Sequence, residues 1–204
     1  TSGSQGIGYG YEAIKHGRQT LMICGGAEEM HPIHAGVFDV MFATSTRYND
    51  RPDASPRPYD RDRDGMVVGE GAATLILEEY EHARARGAMI HAEVVGYGTN
   101  CDGEHVTSPS VEGMRGAMEL ALMDAGVGPE CIGYINGHGT GTELGDIAET
   151  RATAEAVGDK IPFSSTKSYT GHTLGACGAI VSVFCLCCSR VGLLPPSRSL
   201  DAVD

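Results

Sequence analysis

Two histidines and a lysine, set among glycines and hydroxyl residues, are the part of this 204-residue sequence whose residue types and spacing could carry chemistry. They stand in Gly137-His138-Gly139-Thr140-Gly141-Thr142 and in Thr166-Lys167-Ser168-Tyr169-Thr170-Gly171-His172-Thr173-Leu174-Gly175-Ala176. Histidine is the side chain best suited to proton and hydrogen-bond chemistry near neutral pH. Flanking glycines let a substrate approach the backbone closely. His138 follows an expected strand and precedes an expected helix, the place where α/β proteins build active sites. His172 precedes an apolar helix whose N-terminal N–H groups would favour an anion. Lys167, five residues before His172, could orient a histidine through a carboxylate, hold an anion, or be an exposed charge at a strand end. Asp146 and Glu149 follow His138 on the first turns of the next helix. There they either stabilise the helix N-terminus or pair with Lys167 across the site. No nucleophile of matching setting accompanies these groups.

The elements that must position them can be read from periodicity and punctuation. A helix is expected over residues 5–16, capped by Ser2 or Ser4 and closed by Gly17. A short buried strand over 20–24 should end at Gly25-Gly26. A weak helix over 34–42, a loop over 48–65, a strand over 72–77 and a short helix over 78–86 follow. Residues 90–97 alternate as a strand does, and residues 111–125 carry Met114, Ala121 and Leu122 along one helical face. Strands over 131–135 and 161–165, a helix over 144–156 and a long apolar helix over 174–191 complete the pattern. Alternating helices and strands from Cys131 onward favour an α/β layered fold with mixed or parallel strands.

The net charge of −12 argues against nucleic acid as a partner. Arg47, Arg51, Arg57, Arg61 and Arg63 alternate with aspartates through residue 64. They read as a solvated loop with local ion pairs or as a place where an arginine meets an anionic partner. The seven cysteines are odd in number and lack paired CxxC spacing, so neither a disulfide framework nor a metal site is expected. Cys185, Cys187 and Cys188 are expected to pack in the core. No apolar run is expected to reach the length of a membrane span, and no secretory leader is visible. The expected compartment is the reducing cytosol. Thr1 in place of Met and an unanchored tail after Pro195-Pro196 suggest a piece of a longer chain.

Taken together, the His138 and the Lys167–His172 motifs resemble the second and third active-site motifs of the β-ketoacyl-acyl carrier protein synthases, condensing enzymes of the thiolase fold. The segments Arg47-Tyr48-Asn49-Asp50, Tyr59-Asp60-Arg61-Asp62-Arg63-Asp64-Gly65, Gly69-Glu70-Gly71-Ala72 and the run from Glu78 to Ala88 resemble the same family. The resemblance implies an α/β, thiolase-like layered αβαβα fold, present in part. Residues 1–88 would be the C-terminal part of the first thiolase-like half, and residues 89–204 the second half, truncated at its C-terminus. It implies decarboxylative condensation of malonyl-acyl carrier protein with an acyl-enzyme thioester. His138 and His172 would donate hydrogen bonds to the thioester oxygen, and Lys167 would position His172 with Asp146 and Glu149 as its partners. Thr107, Thr140 and Thr142 resemble residues that bind the phosphopantetheine arm, which arrives on the carrier protein, so no resident cofactor is implied. Arg47 resembles a contact for the acidic carrier protein, and a homodimer or a ketosynthase-like heterodimer is implied.

Two departures stand out. The family's nucleophilic cysteine would be the residue before Thr1, outside this sequence. The glutamate that the family pairs with the lysine is Val181 here. Alternatives to the condensing enzyme are a non-catalytic partner subunit of the chain-length-factor type and a thiolase. The presence of both histidines disfavours each.

Overall fold

In the computed structural model, residues 1–203 are described. The chain opens on helix α1 (Ser2–Lys15), begun by Thr1, three residues earlier than the serines suggest. Strand β1 (Leu21–Glu28) runs straight through Gly25-Gly26 rather than ending there. The reason is close packing: a side-chain carbon on Gly25 would lie 2.2 Å from the Ala73 carbonyl oxygen, and one on Gly26 would lie 2.4 Å from that of Gly175. Missing side chains, not a turn, are what these two positions require.

Helix α2 (Pro32–Val40) is followed by the charged loop, and strand β2 (Gly71–Glu78) pairs antiparallel with β1, Ile23 opposite Ile76. Helix α3 (Tyr80–Ala85) ends the first part of the chain. Helix α4 (Val111–Ala125) has the expected bounds, because Ser110 accepts the Gly113 N–H and Gly126 adopts the left-handed cap. Strand β3 (Ile135–Asn136), helix α5 (Glu143–Val157), strand β4 (Phe163–Ser164), the single turn α6 (Lys167–Thr170) and helix α7 (Cys177–Val191) follow. β3 and β4 pair in parallel, as expected of the segment after Cys131, while β1 and β2 form a separate antiparallel sheet. The centre of the first layer is Ile7 of α1, Cys24 of β1 and Ala179 of α7, with Leu75 and Leu77 of β2 against them.

Several expectations are corrected. Residues 90–97 join no ladder among the described residues. Their backbone is engaged by side chains instead, Tyr97 N–H on Asp124 and the Val95 carbonyl on the Tyr11 hydroxyl. Residues 131–135 shrink to the two-residue β3, with a 3-10 turn at Pro129–Cys131 before it. Alternation licenses a strand, but only a neighbouring backbone makes one. Residues 174–176 form a 3-10 turn ahead of α7. Leu174–Val191, with mean hydropathy 1.9, is long and apolar enough by length and composition to cross a membrane. That corrects the expectation that no run is, because Ala and Cys between the large apolar residues keep the average high and Arg190 is the one charged residue. In this structure the helix lies along α1, β1 and β2. Of its cysteines, Cys187 is exposed and Cys185 and Cys188 are half-buried, so only Cys177 and, in β1, Cys24 are core thiols.

Candidate active site

The two histidine turns face each other. Their rings are 5.0 Å apart between centroids and nearly perpendicular, at 86°. Both line a cavity of about 260 Å³, together with Thr107, Thr140, Thr142 and Thr1. Phe38, Met66 and Met114 form part of its apolar wall. The segment Gly65–Gly69 runs between the turns and ties them together. The Gly65 N–H donates to the Gly141 carbonyl at 2.9 Å, and the His172 N–H donates to the Val67 carbonyl at 2.7 Å. Gly171, at φ +68°, makes the turn that allows this pairing, with the Val67 carbonyl too close for a side chain.

Hydrogen bonds select the tautomers. The Leu174 N–H donates to His172 Nδ1 at 3.0 Å. The Lys167 ammonium donates to the His138 carbonyl and sits 3.3 Å from His138 Nδ1. An amide and an ammonium can only donate, so both Nδ1 atoms accept and each Nε2 keeps its hydrogen. Each ring is thus left with one N–H donor.

Asp146 and Glu149, three residues apart on α5, hold the His138 loop by its backbone. Asp146 Oδ1 accepts from the N–H groups of Thr140 (3.0 Å) and Gly141 (3.2 Å). Glu149 accepts from those of His138 (2.5 Å) and Gly139 (2.7 Å). The expectation that they pair with Lys167 is corrected: among the described residues Lys167 makes no ion pair. Its buried ammonium is turned to His138, not to His172. Four successive amides aimed at one side of the loop satisfy the two carboxylates, leaving them no need of the lysine.

The loop of alternating charges is also corrected. It is not solvated throughout. Asp60 is fully buried, accepting from Arg57 at 3.0 Å and from the N–H groups of Asp201 and Ala202. The buried Arg63 reaches Asp146 at 3.8 Å. Arg57 and the backbone donors outweigh burial and lower the Asp60 carboxyl to about 2. Arg47 behaves as expected of a surface residue. Its guanidinium is anchored on the Asp62 and Arg63 carbonyls and its side chain is 61% exposed.

Residues not singled out from the sequence also shape the site. Tyr59 bonds both carboxylates, and Ser165, fully buried, donates to the Gly139 carbonyl at 3.0 Å and accepts the Lys167 N–H. Their types gave no signal. Only the resemblance of the segment containing Tyr59 pointed toward it.

His138 presents surface to the cavity, but protein atoms crowd it at longer range. That crowding, then the charge of Lys167, lowers its proton affinity well below the usual value. The same two causes lower His172 to about 3. Both rings are therefore neutral donors near pH 7. An unfolded chain protonates histidine near pH 6.5. Between there and about pH 3 it binds protons the folded state refuses, so stability falls as pH falls. Asp146 works the other way. Burial lifts its carboxyl to about 6 against the Tyr59 hydrogen bond, a contribution lost as pH rises from about 4 to 6. His172→Gln isolates the imidazole: the drop in urea midpoint between about pH 7.5 and pH 5 is expected to be smaller than in the parent. Equal drops would mean that His172 takes a proton in the folded state.

Comparison with known proteins decides the family. Residues 1–83 match the N-terminal domain of β-ketoacyl synthases and residues 91–201 match the C-terminal domain. The chain belongs to the β-ketoacyl synthase family. It is 46% identical over 208 residues to 3-oxoacyl-[acyl-carrier-protein] synthase 2 of Vibrio cholerae, covering 98% of this chain and 50% of that protein. A crystal structure of a β-ketoacyl synthase from Burkholderia phymatum superposes with a TM-score of 0.97 at 56% identity, over all of this chain and 50% of that one. A ketosynthase solved with its type II polyketide acyl-carrier protein and a bound hexaketide gives 0.94 at 36% identity, over 99% of this chain and 51% of that one. The fold is therefore thiolase-like, and the chain spans about half the length of the curated relatives it matches.

Proposed function

We propose that this β-ketoacyl synthase chain carries the malonyl-activating half of a site for decarboxylative Claisen condensation, in fatty acid or polyketide-type elongation. The supporting observation is the pair of facing neutral imidazoles, both accepting at Nδ1 and both on one cavity. A malonyl thioester whose carbonyl oxygen meets the two Nε2–H donors gains stabilisation as enolate charge develops. The bond from the α-carbon to its carboxylate breaks and carbon dioxide leaves. The electron pair passes through the enolate to the acyl carbonyl carbon of an enzyme thioester, and the enzyme thiolate departs.

The acyl-accepting cysteine is proposed to precede Thr1. Thr1 lines the same cavity and stands at the amino end of α1, where the helix field favours a thiolate. Lys167 keeps His138 neutral and oriented, while Asp146 and Glu149 hold the loop. Thr107, Thr140 and Thr142 are read as the contacts for a phosphopantetheine arm, which the carrier protein brings, with no resident cofactor. Arg47 is read as a contact for that acidic carrier.

Residues 1–88 and 89–204 are read as parts of the two thiolase-like halves. A homodimer or paired heterodimer is proposed to cover apolar surface such as Ile23 and Ile76, 70% and 66% exposed. A reducing, cytosolic setting fits free thiols at every cysteine.

The test is made on the intact polypeptide, by following acyl loading by mass and carbon dioxide release from malonyl-carrier protein. Loading followed by condensation is expected. Absence of both would favour the partner-subunit reading, and turnover of acyl-CoA alone would favour a thiolase.

A further inference from the structure

Tyr59 joins the two carboxylates that hold the His138 loop, and it does so with two different groups. Its peptide N–H donates to Asp146 Oδ2 and its hydroxyl donates to Glu149 Oε2, both at 2.8 Å. Glu149 Oε2 also takes the Gly139 N–H, and Oε1 takes that of His138. To reach both acids Tyr59 adopts φ +64°, an uncommon conformation for a bulky residue that persists only where surroundings over-determine it. The ring is buried and packs on Phe163, with centroids 4.7 Å apart. The hydroxyl oxygen lies over the two glycines that flank His138. A side-chain carbon would come within 2.2 Å of it from Gly137 and 2.6 Å from Gly139.

We propose that Tyr59 is a positioning residue for His138, acting through Glu149; this rests on His138 being a donor to the reacting thioester. The hydroxyl fixes the rotation of the Glu149 carboxylate. The carboxylate fixes the peptide planes on either side of His138, and those planes set the direction of the ring. The hydroxyl stays protonated, since burial and then the Glu149 charge raise its proton affinity. The flanking glycines follow from the same contact: they are the surface on which the phenol rests.

Tyr59→Phe keeps the ring and its packing and removes only the donor. In the intact polypeptide, kcat for decarboxylation of malonyl-carrier protein is expected to fall about ten- to a hundredfold, the upper end being the loss that a misplacement of about 1 Å brings at a reacting centre. KM and acyl loading should stay at parental values, and the melting temperature should fall only by the few degrees that loss of one buried hydrogen bond brings. With selective 15N-histidine labelling, the His138 ring resonances should shift and those of His172 should not. Glu149→Gln combined with Tyr59→Phe should lose no more than Glu149→Gln alone, because the two act in series. Phe163→Leu, which disturbs the ring's packing only, should leave the His138 resonances in place.

Unchanged kcat with unmoved His138 resonances overturns the proposal. So does an equal loss of loading, decarboxylation and melting temperature, or failure of Tyr59→Phe to fold, each of which assigns the hydroxyl to the fold alone. If the parent itself releases no carbon dioxide, the condensing reading fails. The resonance shift then still tests the link from Tyr59 to His138.

Discussion

His172→Ala in the intact polypeptide is expected to lower malonyl decarboxylation about a hundred- to a thousandfold while acyl loading persists. The size follows from removing one preorganised donor at a developing oxyanion. His172 is 9% exposed, its N–H is held by the Val67 carbonyl, and its Nδ1 is occupied by the Leu174 N–H. Nothing is left for the ring to reorganise when charge develops. Its value of about 3 keeps it neutral through the pH range of any ordinary assay. Decarboxylation equal to the parent's would remove His172 from the reaction. Equal loss of loading and decarboxylation would make it a structural residue.

Asp146→Ala is expected to cost about 3–5 kcal/mol of stability, the range for breaking a buried charge network by removing one partner. Asp146 is 2% exposed and its two oxygens serve the N–H groups of Tyr59, Thr140 and Gly141, with Arg63 at 3.8 Å. Alanine strands those donors where the carboxylate now leaves only 2% of the residue exposed. Asp146→Asn should cost less, since the carboxyl is already lifted to about 6 by burial and the amide oxygen still accepts. The measurement is the urea midpoint at constant slope. A loss for the alanine variant of only about 1 kcal/mol or less, as at an exposed pair, would mean that water replaces the carboxylate and that the loop does not depend on it.

Local signals carried the sequence reading well where structure is local. Ser110 and Gly126 bracket α4 at its observed ends, because a cap is decided within one turn. The lysine and both histidines are on turns with the glycine chemistry their neighbours advertise. Reading failed where the partner is distant. Residues 90–97 alternate but find no ladder, and Gly25-Gly26 punctuate nothing, since what matters there is the approach of Ala73 and Gly175.

The charged loop is the clearest case. Arg57, Asp60 and Arg63 have the spacing of a solvated segment, and their burial depends on Asp201, Ala202 and Asp146, between 83 and 144 positions away. Lys167 likewise has a legible place and an unforeseen partner.

By itself the sequence determined the family, the helices with local caps and the identity of the groups able to donate to an oxyanion. Those are properties of residue type and short spacing. Only the tertiary structure decided that Asp146 and Glu149 hold the His138 backbone, that Lys167 turns to His138, and that Tyr59 closes the arrangement. Each of these is a hydrogen-bond choice among competing donors and acceptors. Such choices are set by burial and by the meeting of segments far apart in the chain, which no local pattern encodes.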